Sequence, residues 1–187
     1  MKKLNFLATC HSKWHYFDVA KSLDKKNQLV KLITGYPNFK SKRFNIPRDK
    51  IDSFPLFVMA DYLLRGSQVK FLNIIRDNLQ YINAKMISEK AIKYFEQADV
   101  MLSISGSGFW SLDKFRKMGK LFICERSSSH IVYQKSILED EYAKYKLKNN
   151  LDFEFSNWRI ENEIYEYENA DFILTPSKFV TDSFKNK

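Results

Sequence analysis

The chain has 187 residues, 44% hydrophobic and 28% charged, enough for one domain with its own core and unlike a disordered, collagenous or disulfide-stapled chain. No apolar run approaches the roughly 20 residues a membrane span needs, and Met1–Cys10 runs straight into His11, Ser12 and Lys13, so it reads as a strand and not as a secretory leader. The formal charge of +9 sits in one half: residues 1–100 hold 18 Lys/Arg against 9 Asp/Glu, and residues 101–187 hold 13 of each.

Residues 4–9 read as a first strand, His11 to His15 as its exit loop, and a helix follows with Trp14, Phe17, Ala20 and Leu23 on one stripe. Residues 28–34 form a second strand closed by Gly35, Tyr36 and Pro37, which gives the strand–helix–strand unit of a parallel sheet. Residues 36–56 hold three of the four prolines with Lys40, Lys42, Arg43, Arg48 and Lys50, and read as an irregular basic excursion on the surface. Residues 57–75 are richly apolar, with Arg65 and Lys70 interspersed and Gly66-Ser67 expected to split them into two helical pieces. Such a stretch either packs on its own sheet or lies on a bilayer surface.

Residues 84–98 repeat Ile87, Ala91, Tyr94 and Phe95 at helical spacing. Residues 99–104 are the next strand, followed by Ser105-Gly106-Ser107-Gly108 and a helix over 109–118 that ends at Gly119. Leu121, Phe122 and Ile123 mark a short buried strand, after which the chain turns abruptly polar: Glu125, Arg126, Ser127, Ser128, Ser129 and His130. A helix continues to Lys146, and Lys148, Asn149 and Asn150 break it. Residues 158–170 form an acidic helix with Ile160, Ile164 and Tyr167 on one side; Glu161, Glu163, Glu166 and Glu168 read as its solvated face. A final strand at 172–175 leads to a short helix capped by Ser177.

The fold expected is therefore α/β, a Rossmann-like parallel sheet flanked by helices. Cys10 and Cys124 lack zinc-type spacing and fall at strand ends, so they read as two reduced, half-buried thiols of a cytoplasmic protein. In a parallel sheet the exit loops at 10–15, 105–109 and 125–130 share one edge, where open α/β sheets hold ligands. They bring together His11, Lys13 and His15, then Gly106, Ser107 and Gly108, then Arg126 to His130, a set suited to a phosphate- or hydroxyl-rich ligand. Taken singly, each loop has two readings. Gly106 to Gly108 lacks the third glycine of a dinucleotide fingerprint and serves either as a tight turn or as a backbone that a ligand can approach. Arg126 binds ligand or pairs with Glu125, and His130 belongs to the site or to the start of a helix.

These segments resemble the N-terminal, acceptor-side half of a bacterial GT-B glycosyltransferase of the family 4 type. The resemblance rests on His15-x-Phe17-Asp18-Val19-Ala20, residues 32–37, Ala98-Asp99 with the Ser105–Phe109 loop, the Glu125–His130 loop, residues 166–171 and residues 175–179. It implies one Rossmann-like domain over residues 1–187, with the active site in the cleft between it and a second domain that binds the nucleotide sugar. That second domain has no counterpart here, so the chain alone is expected to be inactive. The resemblance further implies transfer of a sugar, with retention, from a nucleotide-sugar donor to a glycan or lipid-linked acceptor, without metal or other cofactor. His130 is implied as the catalytic residue near the transferred sugar. Arg126, Ser127, Ser128, Ser129, Gly106, Ser107, His15 and Lys13 are the expected substrate-binding residues. Ser127 stands where a glycine is common in the family.

The basic first half faces acceptor or anionic membrane in this reading, which makes the protein cytoplasmic with a possible peripheral contact to the inner face of the membrane. The alternative from another class is a non-catalytic module that binds an anionic ligand or membrane surface. No nucleic-acid partner is expected, because the charge comes without a recognised motif or stacking platform.

Overall fold

A computed structural model describes residues 3–65, 70–147 and 151–185. Among these residues six parallel strands form one sheet: β1 (Phe6–Cys10), β2 (Leu29–Thr34), β3 (Ile51–Ser53), β4 (Val100–Ile104), β5 (Leu121–Glu125) and β6 (Phe172–Leu174), in the order β3-β2-β1-β4-β5-β6. The helices are α1 (Tyr16–Lys25), α2 (Asn38–Ser41), α3 (Pro55–Leu64), α4 (Lys70–Ala91), α5 (Phe109–Lys117), α6 (Ile131–Lys144), α7 (Leu151–Glu154), α8 (Asn157–Asn169) and α9 (Lys178–Lys185). The expected α/β Rossmann-like sheet is what the chain forms.

Side-chain alternation divides the core between the two faces of the sheet. Leu7, Ile33 and Met101 point into one cluster, with Ile87, Phe95, Phe115 and Phe122. Ala8, Leu32 and Leu102 point into the other, with Tyr16, Phe17 and Ile46. Every residue of β4 is buried, as a central parallel strand covered on both faces requires. Full burial of Phe17, Phe115 and Phe122 contributes about 1.5–3 kcal/mol apiece. Thr9 and Ser103 sit opposite each other on β1 and β4, and their hydroxyls pair at 2.8 Å inside the core.

The structure departs from expectation in four places. Residues 36–56 are not wholly irregular: Ile51–Ser53 adds a sixth strand, paired with Leu32–Thr34. Three residues with a single buried side chain carry too little periodicity to announce a strand. The segments at 70–75 and 84–98 belong largely to one helix, α4, which continues as a 3₁₀ turn over Ile92–Gln97. Trp14 lies before α1 and is 44% exposed, so the buried stripe of that helix is Tyr16, Phe17 and Ala20. The acidic face of α8 is only partly solvated: Glu161 and Glu168 are exposed, whereas Glu163 and Glu166 are buried. The breaks expected at Gly66-Ser67 and Lys148 to Asn150 lie outside the described residues.

In this strand order the chain leaves β1 toward β2 on one side, and β4 toward β5 on the other. The exit loops of β1 and β4 consequently diverge, and a crevice opens at the carboxyl ends of the two central strands.

Candidate functional site

That crevice is a cleft of about 330 Å³. His11 and Ser12 leave β1 into it, Ser105 and Gly106 leave β4, and Arg126, Ser127 and Ser128 leave β5. One wall is the α3–α4 pair, through Val58, Asp61, Gln80 and Asn83; the facing wall is α8, through Trp158, Arg159 and Glu163. Trp14 stands at the rim. The close approach of β1 to the α3–α4 wall depends on Gly35, where a Cβ would lie 2.4 Å from the His11 carbonyl and 2.4 Å from a methyl of Val58. Asn83 Nδ2 donates to that same carbonyl at 3.2 Å, tying α4 to the loop.

His11 places its imidazole in the cleft. Its Nε2 lies 3.2 Å from the Ser105 carbonyl, so Nε2 carries the proton and Nδ1 keeps its lone pair. Burial lowers its pKa to about 4 against the opposing pull of that carbonyl. The imidazole is therefore neutral across the physiological range, with one donor and one acceptor.

Arg126 is held from four directions. Its Nη1 donates to Glu163 Oε2 at 2.6 Å and to Ser105 Oγ at 3.2 Å, its Nη2 to Gln134 Oε1 at 2.7 Å, and its Nε to the Ser129 carbonyl at 3.0 Å. Both partners of the Arg126–Glu163 pair are almost fully withdrawn from water, a geometry that fixes the guanidinium plane before any ligand arrives. Tyr167 also donates its hydroxyl to Glu163 Oε2. Across the cleft, Asp61 is 4% exposed and accepts from Arg76 at 2.9 Å and Gln80 at 3.1 Å. Arg159 donates to Gln80 Oε1 at 2.5 Å and to the Glu154 carbonyl at 2.9 Å, and burial lowers its pKa.

The glycine turn behind this cleft is already occupied. Gly106 adopts φ +82°, and the N–H groups of Gly106 and Gly108 donate to Glu166 Oε2 and Oε1 at 2.7 and 2.8 Å. Glu166 is completely buried. A carboxyl group from α8 thus occupies the position at the start of α5 that a ligand phosphate takes in other glycine-rich turns. Burial raises the pKa of Glu166 to about 8, opposed by the backbone donors.

Of the residues expected at the site, Gly106, Arg126, Ser127 and Ser128 line the cleft. Ser107 and Ser129 are buried beside it: Ser107 Oγ has no hydrogen-bond partner among the described residues, and the Ser129 carbonyl receives Arg126. His130 does not line it. Its Nδ1 accepts from Val132 N–H at 3.3 Å as the N-cap of α6, its own N–H donates to Ser183 Oγ at 2.9 Å, and its ring packs against Tyr167 and Phe184. His15 is exposed and pairs with Glu125 at 2.7 Å, and Lys13 is exposed outside the cleft. Sequence reasoning passed over Asp61, Asn83, Arg159, Glu163 and Glu166. Two of these left a signal: Asp61 is the lone acid in the apolar run of α3, and Glu163 lies between Ile160, Ile164 and Tyr167 on the buried stripe of α8.

No family model and no curated protein matches the chain. Among solved structures, a protein assigned as a UDP-N-acetylglucosamine 2-epimerase from Listeria monocytogenes shares the fold with a TM-score of 0.54, at 11% identity over 100% of this chain. The chain spans 43% of the length of that protein. At such identity the likeness speaks to fold alone: a Rossmann-like α/β domain of the GT-B-like kind.

Proposed function

We propose that this chain is the acceptor-side domain of a GT-B-type enzyme that moves a sugar from a nucleotide-sugar donor, itself the substrate, to a glycan or lipid-linked acceptor. A second nucleotide-binding domain would complete the site, with retention at the transferred sugar and no metal. The observation that carries the reading is the meeting of three exit loops around the cleft, where a neutral imidazole, a pre-oriented guanidinium, serine hydroxyls and two tryptophans surround one sugar-sized space. His11 takes the proton-handling role in this proposal. Arg126, Ser127, Ser128 and the Gly106 backbone hold hydroxyls of the ligand, and His130 keeps the 126–130 loop in place through α6 and α9.

A second reading is acid–base rearrangement of a nucleotide sugar, favoured by the two carboxylates, Asp61 and Glu163, that line the same cleft as His11. Product analysis separates the two: transfer yields free nucleotide and a glycoside, rearrangement an epimeric nucleotide sugar.

The test on the chain itself is saturation-transfer NMR with UDP-hexoses and free hexoses. Sugar-ring protons should receive saturation, and Ser128→Trp, which fills the cleft, should abolish it. Absence of transfer to every sugar, or transfer undiminished in Ser128→Trp, would count against a sugar site here. In the two-domain enzyme, His11→Asn should lower turnover at least about tenfold, or roughly 1.4 kcal/mol of transition-state stabilisation. His130→Asn should act chiefly through stability.

A further inference from the structure

The α3–α4 pair has a second face, turned away from the cleft. Val58 and Asp61 of α3 and Arg65 at its end line the cleft, whereas Leu56, Met59 and Leu63 follow one another at helical spacing on another side, 71%, 46% and 82% exposed. Tyr62 is 68% exposed, and Phe71 and Ile74 at the start of α4 are 66% and 61% exposed. The two helices pack along each other, and Leu63 and Phe71 lie near the adjoining ends of the pair. Six large apolar side chains thus stand in water on one hairpin, more than the scattered exposure of an ordinary surface. None of them takes part in the cleft.

The charge around this hairpin selects the occupant. The hairpin, residues 55–76, carries Arg65, Lys70 and Arg76 against Asp61 alone, and Asp61 is paired with Arg76 at 2.9 Å on the cleft side. Arg65 borders the apolar face with its guanidinium over the Tyr62 ring at 5.4 Å, and its side chain is 57% exposed. Pairing this face with a second copy of itself would set like charges against one another. An anionic bilayer offers apolar depth for the Leu, Met and Phe side chains, an interfacial level for Tyr62, and head-group phosphates for the cations. No helix among the described residues is long and apolar enough to cross a membrane, so the contact is one of lying on the surface.

We infer that the outer face of α3–α4, centred on Leu63 and Phe71, docks the protein on an anionic lipid surface. The docking stands without the sugar-transfer reading. Resting on that reading, it identifies the acceptor as lipid-borne, because the hairpin that lies on the bilayer is also a wall of the cleft.

The experiment is co-sedimentation of the full chain with phosphatidylcholine vesicles and with vesicles containing about one third phosphatidylglycerol, at low and high salt. The chain should sediment with the anionic vesicles and not with the neutral ones, and salt should weaken the binding. Leu63→Glu and Phe71→Glu should each lower the apparent affinity at least about tenfold, with unfolding curves unchanged. L63C carrying an environment-sensitive fluorophore should blue-shift on the same vesicles; both native cysteines are buried, which keeps the label at one position. Equal and negligible binding to both vesicles would overturn the inference, as would anionic binding that neither substitution reduces. Self-association abolished by Leu63→Glu without any vesicle binding would overturn it in favour of a second copy. Each of these outcomes leaves the sugar-binding test untouched, so the two proposals fail separately.

Discussion

Replacing Glu166 tests the most unusual contact in the structure. The Glu166 carboxyl oxygens accept from Gly106 N–H at 2.7 Å and Gly108 N–H at 2.8 Å, and no side chain caps α5 at Gly108, so Glu166 serves as the cap. Removing it orphans two buried backbone donors, each costing about 1–3 kcal/mol. Glu166→Ala should therefore lose about 2–6 kcal/mol of unfolding free energy, less what is recovered by no longer burying a carboxyl group. Glu166→Gln keeps one acceptor and turns an amide N–H toward the other donor, so about half that loss is expected. Formate or phosphate should raise the melting temperature of Glu166→Ala, by refilling the cradle, and leave the parent unmoved.

The pH dependence has a definite sign. Burial holds the folded-state pKa near 8, above the ordinary value of 4.5, so the folded protein keeps a proton that the unfolded chain releases. That contribution is complete below the ordinary value and is lost as pH rises toward 8. The advantage of the parent over Glu166→Gln should accordingly shrink by at most about 1.4 kcal/mol per pH unit across this window, then level off. Urea unfolding followed by circular dichroism at a series of pH values, on both proteins, measures the difference directly. If the parent's advantage instead grows with pH, the backbone donors outweigh burial and the reasoning is wrong.

Three further outcomes follow from the same site. Gly35→Ala should destabilise by about 1–3 kcal/mol or more, since the new methyl meets the His11 carbonyl of the backbone as well as the Val58 methyl; chemical denaturation gives the value. Arg126→Met should cost about 3–5 kcal/mol by leaving Glu163 charged and unpaired in a buried position, and Arg126→Met/Glu163→Leu should recover most of it, as a double-mutant cycle would show. His11 should titrate near 4 by NMR. Because the unfolded chain takes up that proton first, stability assigned to His11 by comparison with His11→Phe should rise with pH from about 4 to about 6.5 and be flat above.

The sheet was legible because its central strands are buried on both faces and helices separate them, so β1, β2, β4, β5 and β6 stand out as apolar runs between periodic segments. Parallel pairing then obliged the exit loops of β1, β4 and β5 to share an edge, which placed Gly106, Arg126, Ser127 and Ser128 together without coordinates. The strand β3 escaped notice because three residues beside a basic loop carry no pattern. The carboxylates escaped for a different reason. An acid in a helix with many acids reads as solvated, and only the position of Glu163 on the apolar stripe contradicts that. Whether a histidine after a strand looks into a cleft or caps a helix depends on side-chain direction, which spacing does not encode; His11 and His130 differ in just this respect.

The occupied glycine turn constrains what the cleft can recognise. Anions bind helix N-termini through free N–H groups, and here the donors of Gly106 and Gly108 already face Glu166. Arg126 is likewise engaged by Glu163, Gln134 and two carbonyl or hydroxyl oxygens, and Arg159 by Gln80 and the Glu154 carbonyl. A diphosphate entering this cleft would have to displace internal partners from each of these groups. A sugar hydroxyl, which donates and accepts at once, can instead join the existing network at Glu163, Ser105 or the imidazole without breaking it. The arrangement therefore favours the neutral, hydroxyl-rich part of a ligand; on the function proposed above, the phosphates of a nucleotide sugar would fall to groups outside these loops.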